Sequence, residues 1–274
     1  SGLSKILGRY EGVSRAGITP SFVQNNNISL RFNLPDKIWF TDEVKHKIDG
    51  FLEIHSSKLS TESKKKLNKL LLYGPPGTGK TTIGFYIAKK LKSTMNYVRL
   101  SDVISPKFGE TMKNISDVFQ NSQEKIVFID EFDAFAKKRL DTNDIGELKR
   151  IVNSLIKTLD FYSSDKITIV STNMVDSIDP AILRRFTYKI LVDELNKEER
   201  EEFFNFLTLN SHDIKSQLSI KDKAILLDVM GKLGMKTVDQ VQQFFDKAMI
   251  LAGLQKQKTI QIKHFIEGLI MTDA

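Results

Sequence analysis

Apolar and polar residues follow two different periods along this chain, and the change of period divides it into two regions. Up to about residue 192, short apolar runs alternate with longer stretches whose apolar residues recur at helical spacing. The apolar runs predict strands, several of them with no polar interruption, at Leu70–Tyr73, Tyr97–Leu100, Ile126–Ile129, Ile167–Val170 and Tyr188–Leu191. Strands that alternate with helices predict an α/β fold with a doubly wound parallel sheet.

The chain after residue 192 shows only the helical period. It predicts a small helical unit made of Glu194–Leu209, Ser219–Leu233, Thr237–Leu251 and Thr259–Leu269. We therefore expect an αβα domain over residues 36–192 and a helical lid over residues 193–274. Residues 1–35 are expected to be an N-terminal arm, truncated or tag-derived at its start because it opens on Ser1-Gly2, with a short strand at Ile28–Phe32.

A glycine-rich loop joins the first predicted strand to a predicted helix. The run Gly74-Pro75-Pro76-Gly77-Thr78-Gly79-Lys80-Thr81, followed by Thr82, matches the pattern G-x-x-x-x-G-K-[ST]. Glycines let backbone N–H groups approach phosphate oxygens, and the start of the helix adds the positive end of its dipole. Lys80 is suited to the β- and γ-phosphates of ATP, and the Thr81 hydroxyl to Mg²⁺. The alternative, an ordinary glycine turn before a helix, is disfavoured by the flanking strand and helix.

Polar residues follow two later strands at the point where each strand ends. Asp130 and Glu131 come after one buried strand, and Asn173 follows the next. In open α/β sheets the carboxyl ends of the strands form the ligand crevice. An aspartate there is suited to Mg²⁺ and a neighbouring glutamate to polarising water, whereas Asn173 is a candidate partner of the γ-phosphate.

Two adjacent arginines, Arg184 and Arg185, lie between apolar residues just before the last predicted strand. From the residues alone, two interpretations stay open. The arginines form a surface pair, or they face a phosphate bound to a neighbouring subunit.

Composition excludes some classes of site and leaves the charge open to interpretation. The chain of 274 residues has no cysteine, so disulfides and thiolate metal sites are excluded, and a reducing compartment fits. It contains no apolar run near the ~20 residues of a membrane helix. The formal net charge is +7, which suits either a solvated lysine-rich surface, the favoured interpretation, or binding to nucleic acid, acidic tails or anionic lipid.

Taken together, the motifs resemble those of the AAA family of ATPases in the narrow sense. The resemblance runs from about Trp39 to about Leu251, and the compact finger motif is closest to the katanin and spastin clade. The segments that carry it are GPPGTGKTT, IVFIDEFDAFAKKR, RIVNSLIKTLD and STNMVDSIDPAILRRF, followed by the helical tail.

The resemblance implies an αβα core with a helical lid, ATP bound between subunits, and a homo-oligomeric ring, usually a hexamer. By motif, Glu131 is the catalytic acid, Asp130 joins Thr81 at Mg²⁺, and Asn173 is the first sensor residue. Arg184 and Arg185 are similar to the arginine fingers that act on a neighbour's ATP. Lys236 is a candidate substitute for a second sensor.

One loop departs from the family pattern. The first pore loop of the family reads aromatic, apolar, Gly, Glu, whereas Lys107, Phe108 and Gly109 precede Glu110 here, which puts lysine in the aromatic position. The second pore loop is expected at Lys138–Asn143. None of the four histidines forms the zinc motif H-E-x-x-H.

These observations predict a cytoplasmic ATP-hydrolysing ring that remodels, unfolds or disassembles a protein substrate through a central pore. A nucleic-acid-associated AAA+ ATPase and a nucleotide-gated assembly scaffold are the alternatives. The intact Glu131 argues against the scaffold. An N-terminal anchor or targeting segment removed from the chain also stays open.

Overall fold

A parallel β-sheet lies at the centre of the first region, as the apolar runs predict. The structure, a computed structural model, describes residues 34–35, 37–57, 60–103, 108–120, 124–134, 153, 155–160, 166–211 and 215–270. Within these residues the sheet has the order β2-β3-β4-β1-β5 and all its pairs are parallel. The strands are β1 (Lys69–Tyr73), β2 (Met95–Arg99), β3 (Ile126–Asp130), β4 (Ile167–Thr172) and β5 (Tyr188–Leu191).

Helices cover both faces of this sheet. The helices of this region are α1 (Asp42–Ser56), α2 (Thr61–Lys66), α3 (Lys80–Lys90), α4 (Leu100–Val103), α5 (Phe108–Gln120) and α6 (Pro180–Leu183), and residues 155–160 are also helical. The short α2 buries no residue and does not contribute to the cover. The doubly wound α/β fold predicted from the sequence is confirmed.

Alternation along each strand divides the apolar side chains between the two faces. Leu70 and Leu72 of β1 pack with residues of α1 and α3, whereas Leu71 faces the opposite core with α4, α5 and residues 155–160. All three leucines are fully buried. Burial of one such side chain stabilises the fold by about 1.5–3 kcal/mol, so both faces contribute to holding the strand ends in place.

Helix α1, which follows Thr41, shows how local sequence sets an element boundary. The Thr41 hydroxyl accepts a hydrogen bond from the backbone N–H of Val44 at 3.4 Å, and Asp42 and Glu43 occupy the first turn. Val44, Ile48 and Phe51 form the buried face. Side-chain caps of this kind stabilise a helix by about 1 kcal/mol.

Among its described residues the second region contains four helices, α7 (Lys197–Asn210), α8 (Ile220–Lys232), α9 (Val238–Leu254) and α10 (Ile262–Ile270). Their apolar faces share a core with Phe204, Phe245 and Phe265, against which Trp39 also packs. The division between residues 192 and 193 stays a prediction.

The structure corrects the sequence-based elements at three places. Residues Thr259–Ile260 form a short strand, β7, parallel to β6 (Lys215–Ser216), where a continuous helix was predicted. Helix α2 lies in the polar, lysine-rich stretch between α1 and β1, where the sequence analysis assigns no element. Helix α5 begins at Phe108, although Phe108 and Gly109 were predicted to end a loop. The predicted strand Ile28–Phe32 lies outside the described residues.

Candidate active site

The predicted phosphate loop connects β1 to α3 at the carboxyl edge of the sheet. Gly77 and Gly79 have φ angles of 76° and 95°, values that glycine adopts without strain. At Gly74, with φ 141°, an added Cβ would collide with the backbone carbonyl of Val192. The glycines are therefore required by the path of the backbone. Pro75 and Pro76 lie between them, and Thr82 follows in the first turn of α3.

Lys80 is buried beneath this loop. Its Nζ donates hydrogen bonds to the carbonyl oxygens of Gly74 at 2.8 Å and Pro75 at 2.5 Å, and the side chain of Thr78 is 3.5 Å away. Burial lowers the pKa of Lys80 to about 8, against the opposing effect of Asp130 and then Asp133. A buried ammonium group bonded to neutral carbonyls fits an incoming phosphate, since charge-assisted bonds are the stronger class.

Two oxygen ligands lie side by side next to Lys80. The Thr81 hydroxyl at the start of α3 donates to Oδ2 of Asp130, at the end of β3, over 2.8 Å. Hydroxyl and carboxylate oxygens are the hard ligands that Mg²⁺ prefers. The donor set therefore fits a magnesium ion at this edge, as the sequence predicts.

The Asp130 carboxylate is held on both of its oxygens. Oδ1 accepts from the Ser171 hydroxyl and, at 3.0 Å, from the backbone N–H of Glu131, and Oδ2 accepts from the Tyr97 hydroxyl at 3.0 Å. Burial, and then the nearby Asp130 charge, raise the pKa of Tyr97, so the phenol keeps its proton. Sequence reasoning missed Tyr97 and Ser171, because their role depends on strand order.

Glu131 follows β3 in an unusual backbone conformation. Its φ is 56°, in the left-handed region that costs a non-glycine residue of order 1 kcal/mol. The exposed side chain accepts a hydrogen bond from the Ser101 hydroxyl at 3.2 Å. The carboxylate thus lies beside the Asp130 group and open to solvent, where it can reach a water molecule.

Asn173 directly follows β4, the neighbour of both β1 and β3. Its backbone N–H donates to Oδ1 of Asp133 at 3.0 Å, and the Thr172 hydroxyl donates to the same oxygen at 3.3 Å. Asp133 is almost fully buried. This carboxylate, which sequence analysis did not single out, fixes the turn that leaves the Asn173 side chain exposed at the carboxyl edge.

The two arginines lie at the amino edge of the sheet, the edge formed by the amino ends of the parallel strands. Arg184 is exposed at the end of α6, and Nε of Arg185 forms an ion pair with Oδ2 of Asp160 at 3.0 Å. Both Asp160 and Arg185 contribute to the electrostatics of Lys69, the first residue of β1, whose pKa is lowered mainly by burial. The structure therefore does not bring the arginines to the phosphate loop of their own chain.

The pore-loop candidates are described only in part. Lys107 and the segment Lys138–Asn143 lie outside the described residues, and Phe108 and Gly109 form the first turn of α5. Their predicted role therefore stays a prediction.

The first turn of α9 contacts the phosphate loop. The backbone N–H of Asp239 donates to the Gly77 carbonyl at 3.0 Å. Nζ of Lys236, the candidate second sensor, lies 3.3 Å from Oε2 of Glu194 in an ion pair. The helical unit thus touches the loop through its backbone.

Comparison with known proteins finds a family model and several relatives that resemble this chain. Residues 70–194 match the family model described as "ATPase family associated with various cellular activities (AAA)". The 26S proteasome regulatory subunit 6B homolog of Encephalitozoon cuniculi is 36% identical over 212 residues, which cover 68% of this chain and 55% of that protein. The proteasome-activating nucleotidase of Methanococcus vannielii is 31% identical over 211 residues, covering 69% of this chain and 52% of that protein.

A third relative is an ATP-dependent zinc metalloprotease FtsH of Rhodothermus marinus. It is 29% identical over 242 residues, covering 83% of this chain and 33% of that protein. The chain therefore spans between a third and just over half of these relatives. Among the residues that the structure describes, no helix combines the length and apolarity needed to cross a bilayer, and no cluster of three or more His, Asp or Glu side chains is arranged for a metal ion.

Proposed function

The chain belongs to the AAA family of ATPases, which use ATP with Mg²⁺, and on that premise we propose that it hydrolyses ATP in a ring of identical subunits, a hexamer. The ring uses hydrolysis to remodel, unfold or disassemble a protein substrate that enters a central pore. The absence of cysteine suits a reducing compartment, and the proposal places the protein in the cytoplasm.

One observation carries the proposed hydrolysis. Lys80, the Thr81–Asp130 pair and Glu131 lie together at the carboxyl edge of the sheet, around a loop whose glycines leave the backbone open to phosphate. A cation, two metal-binding oxygens and a solvent-facing carboxylate are the groups that phosphoryl transfer to water requires. A structural cluster would not need an exposed carboxylate in a strained conformation.

In the proposed reaction each residue has one task. Lys80 and the loop backbone bind the β- and γ-phosphates. Thr81 and Asp130 would hold Mg²⁺, which would neutralise charge on the phosphate oxygens. Glu131 orients and polarises a water molecule, whose oxygen bonds to the γ-phosphorus as the bond to the β–γ bridging oxygen breaks, releasing ADP and phosphate. Asn173 contacts the γ-phosphate from β4.

The position of the arginines supports a site shared between subunits. Arg185 is tied to Asp160 near Lys69, at the amino end of β1, and the phosphate loop starts at its carboxyl end. Five residues of strand separate the two places by about 16 Å. We therefore assign Arg184 and Arg185 to the ATP of a neighbouring subunit.

A protein substrate is favoured by the relatives, two of which are named for the proteasome and one as a metalloprotease. Phe108 supplies an aromatic group for substrate grip in this proposal, with Lys107 and Gly109 beside it. Zinc proteolysis is not proposed for this chain, because none of its histidines lies in an H-E-x-x-H motif.

The test uses Glu131→Gln, which keeps the shape of the side chain but removes the carboxylate. We expect ATP binding to persist and steady-state phosphate release to fall by about 10²–10⁴-fold. Glu53→Gln makes the same change at an exposed position of α1 and is the matched control, with turnover unchanged. Phosphate release by Glu131→Gln at the wild-type rate would rule out the assigned role of this residue.

The choice between substrate classes needs a second measurement. A permanently unfolded protein is expected to stimulate the wild-type ATPase, and the Glu131→Gln ring is expected to retain that protein when ATP is bound. Stimulation by a polynucleotide instead, with a steep dependence on salt, would favour the nucleic-acid alternative.

A further inference from the structure

An aromatic side chain on β2 connects the core of the sheet to the proposed magnesium site. The Tyr97 ring packs between Phe85 of α3 and Phe128 of β3, with ring centroids 5.1 Å and 5.4 Å away. Its hydroxyl lies 3.0 Å from Oδ2 of Asp130. The tyrosine thus contacts the phosphate-loop helix through its ring and the metal ligand through its oxygen.

Packing explains the ring but not the hydroxyl. A phenylalanine would fill the same space between Phe85 and Phe128, whereas a hydroxyl among aromatic rings must be hydrogen-bonded to avoid a cost of desolvation. The Tyr97 hydroxyl donates its hydrogen bond to Oδ2 of Asp130. The same oxygen accepts a hydrogen bond from the Thr81 hydroxyl at 2.8 Å. The hydroxyl therefore acts on the atom that pairs the two proposed magnesium ligands.

The direction of the hydrogen bonds follows from the groups involved. Nε of Arg99 lies 3.4 Å from the Tyr97 hydroxyl oxygen and can only donate, and an ionised carboxylate can only accept. The phenol oxygen therefore accepts a hydrogen bond from Arg99, and the phenol O–H donates a hydrogen bond to Oδ2 of Asp130. This orders a short chain of bonds from the partly exposed Arg99 to the buried Asp130.

We propose that Tyr97 is a positioning residue for the magnesium site, whose hydroxyl holds Oδ2 of Asp130 beside the Thr81 hydroxyl. Arg99 supports it by fixing the orientation of the phenol. The inference rests on the proposed function, because it needs the site to bind Mg²⁺ with nucleotide. Partners that orient metal ligands commonly change metal affinity by about 10–100-fold when they are removed.

The test compares Tyr97→Phe with Tyr188→Phe and the wild-type chain. Tyr188 also lies on a strand of the sheet, and its hydroxyl donates to the Lys47 carbonyl at 2.8 Å, far from Asp130. Each variant loses its phenol hydroxyl and keeps its ring. Binding of a fluorescent non-hydrolysable ATP analogue is titrated with Mg²⁺ and repeated in EDTA, and binding of Mn²⁺ is followed by electron paramagnetic resonance.

For Tyr97→Phe we expect the Mg²⁺ concentration at half-saturation to rise by about 10-fold, with the EDTA affinity for the analogue unchanged. Mn²⁺ binding weakens in parallel. Tyr188→Phe keeps the wild-type midpoint, although its thermal stability falls. An unchanged midpoint in Tyr97→Phe, or an equal shift in both variants, would overturn the proposal and leave Tyr97 a packing residue.

A substitute variant and the wild-type titration keep the result interpretable. If Tyr97→Phe does not fold, Arg99→Gln takes its place, with a smaller shift expected in the same direction, and an unchanged midpoint then overturns the inference. The wild-type titration separates the two hypotheses. If wild-type binding of the analogue does not depend on Mg²⁺, the proposed function fails. If the wild-type chain shows this Mg²⁺ dependence and Tyr97→Phe has the same midpoint, only the positioning role of Tyr97 is refuted.

Discussion

The two edges of the parallel sheet differ in how completely their charged groups are satisfied within one chain. At the carboxyl edge, Lys80 and Asp130 are 6% and 7% exposed and each has several hydrogen-bond partners. At the amino edge, the side chains of Arg185 and Asp160 are 40% and 45% exposed in a single ion pair. The charged groups of the carboxyl edge are thus buried and bonded within the chain, whereas those of the amino edge stay partly exposed. This difference fits the proposal that the two edges are complementary parts of one site shared between neighbouring subunits.

The largest expected effect comes from removing a cation at the amino edge. Arg185→Ala should keep ATP affinity and lower turnover by about 10³–10⁵-fold, because an arginine supplied to the transferred phosphoryl group stabilises its developing charge. Steady-state phosphate release measures this. Lys189→Ala removes an exposed cation from β5 nearby and should leave turnover unchanged.

Mixing two inactive variants tests most directly whether the two edges of the sheet act together between subunits. Arg185→Ala keeps the carboxyl edge, and Lys80→Ala keeps the amino edge, so mixed rings contain some complete sites. Activity should reappear in the mixture, and wild-type turnover per subunit should rise with protein concentration. If mixed rings form and stay inactive, the arginines do not act between subunits and are a structural pair.

The next prediction concerns the pH dependence of ATP binding at the carboxyl edge. With a pKa of about 8, Lys80 loses its charge as pH rises above 8, whereas an exposed lysine keeps it to about 10.4. ATP affinity should therefore fall by about 10-fold between pH 8 and pH 9.5, and binding should take up a proton at the higher pH. Calorimetry in buffers of different ionisation enthalpy measures both. Lys80→Arg, which stays charged, should bind ATP without this pH dependence.

The same pKa shift affects stability with a definite sign. Between about pH 8 and the unfolded-state pKa, the unfolded chain binds more protons at Lys80 than the folded chain does, so this residue makes stability rise with pH. Lys80→Met should lack that contribution in denaturant titrations. If the free energy of unfolding varies with pH in the same way in both proteins, folding does not lower the pKa of Lys80.

The smallest expected effect is at the ion pair of the amino edge. Asp160→Asn should change the free energy of unfolding by less than about 1 kcal/mol, because both partners are partly exposed. Turnover should fall by about 10-fold, since a misplaced catalytic group loses up to about 100-fold in rate. A stability loss without a change in turnover would make Asp160 a structural partner only.

The sequence predicted the carboxyl edge well because its residues lie where strands end. The phosphate loop, Asp130 and Asn173 follow apolar runs, and parallel strands bring those ends to one side whatever their order. Tyr97 lies within a strand, two residues before its end. Its contact with Asp130 depends on β2 and β3 being neighbours, which the pattern alone does not specify.

Short elements were missed for a related reason. Strands β6 and β7 have two residues each, too few for a period, and are held by pairing between distant segments. Helix α2 lies in a lysine-rich run with no buried residue, so it shows no apolar face. Its local signal was the Ser60 hydroxyl, which caps the backbone N–H of Ser63 at 3.2 Å.

The hydrogen bond between Gly77 and Asp239 gives helix α9 a mechanical property. This helix has 17 residues and is therefore about 25 Å long, and its first turn touches the loop that surrounds the phosphates. The helix is thus attached to the predicted phosphate loop at one end only, and its other end lies a full helix length away. A rotation of about 10° about that contact displaces the far end by about 4 Å over the length of such a helix. Any rotation about Gly77 would therefore displace the exposed Leu254 at the far end several times further than the residues of the first turn.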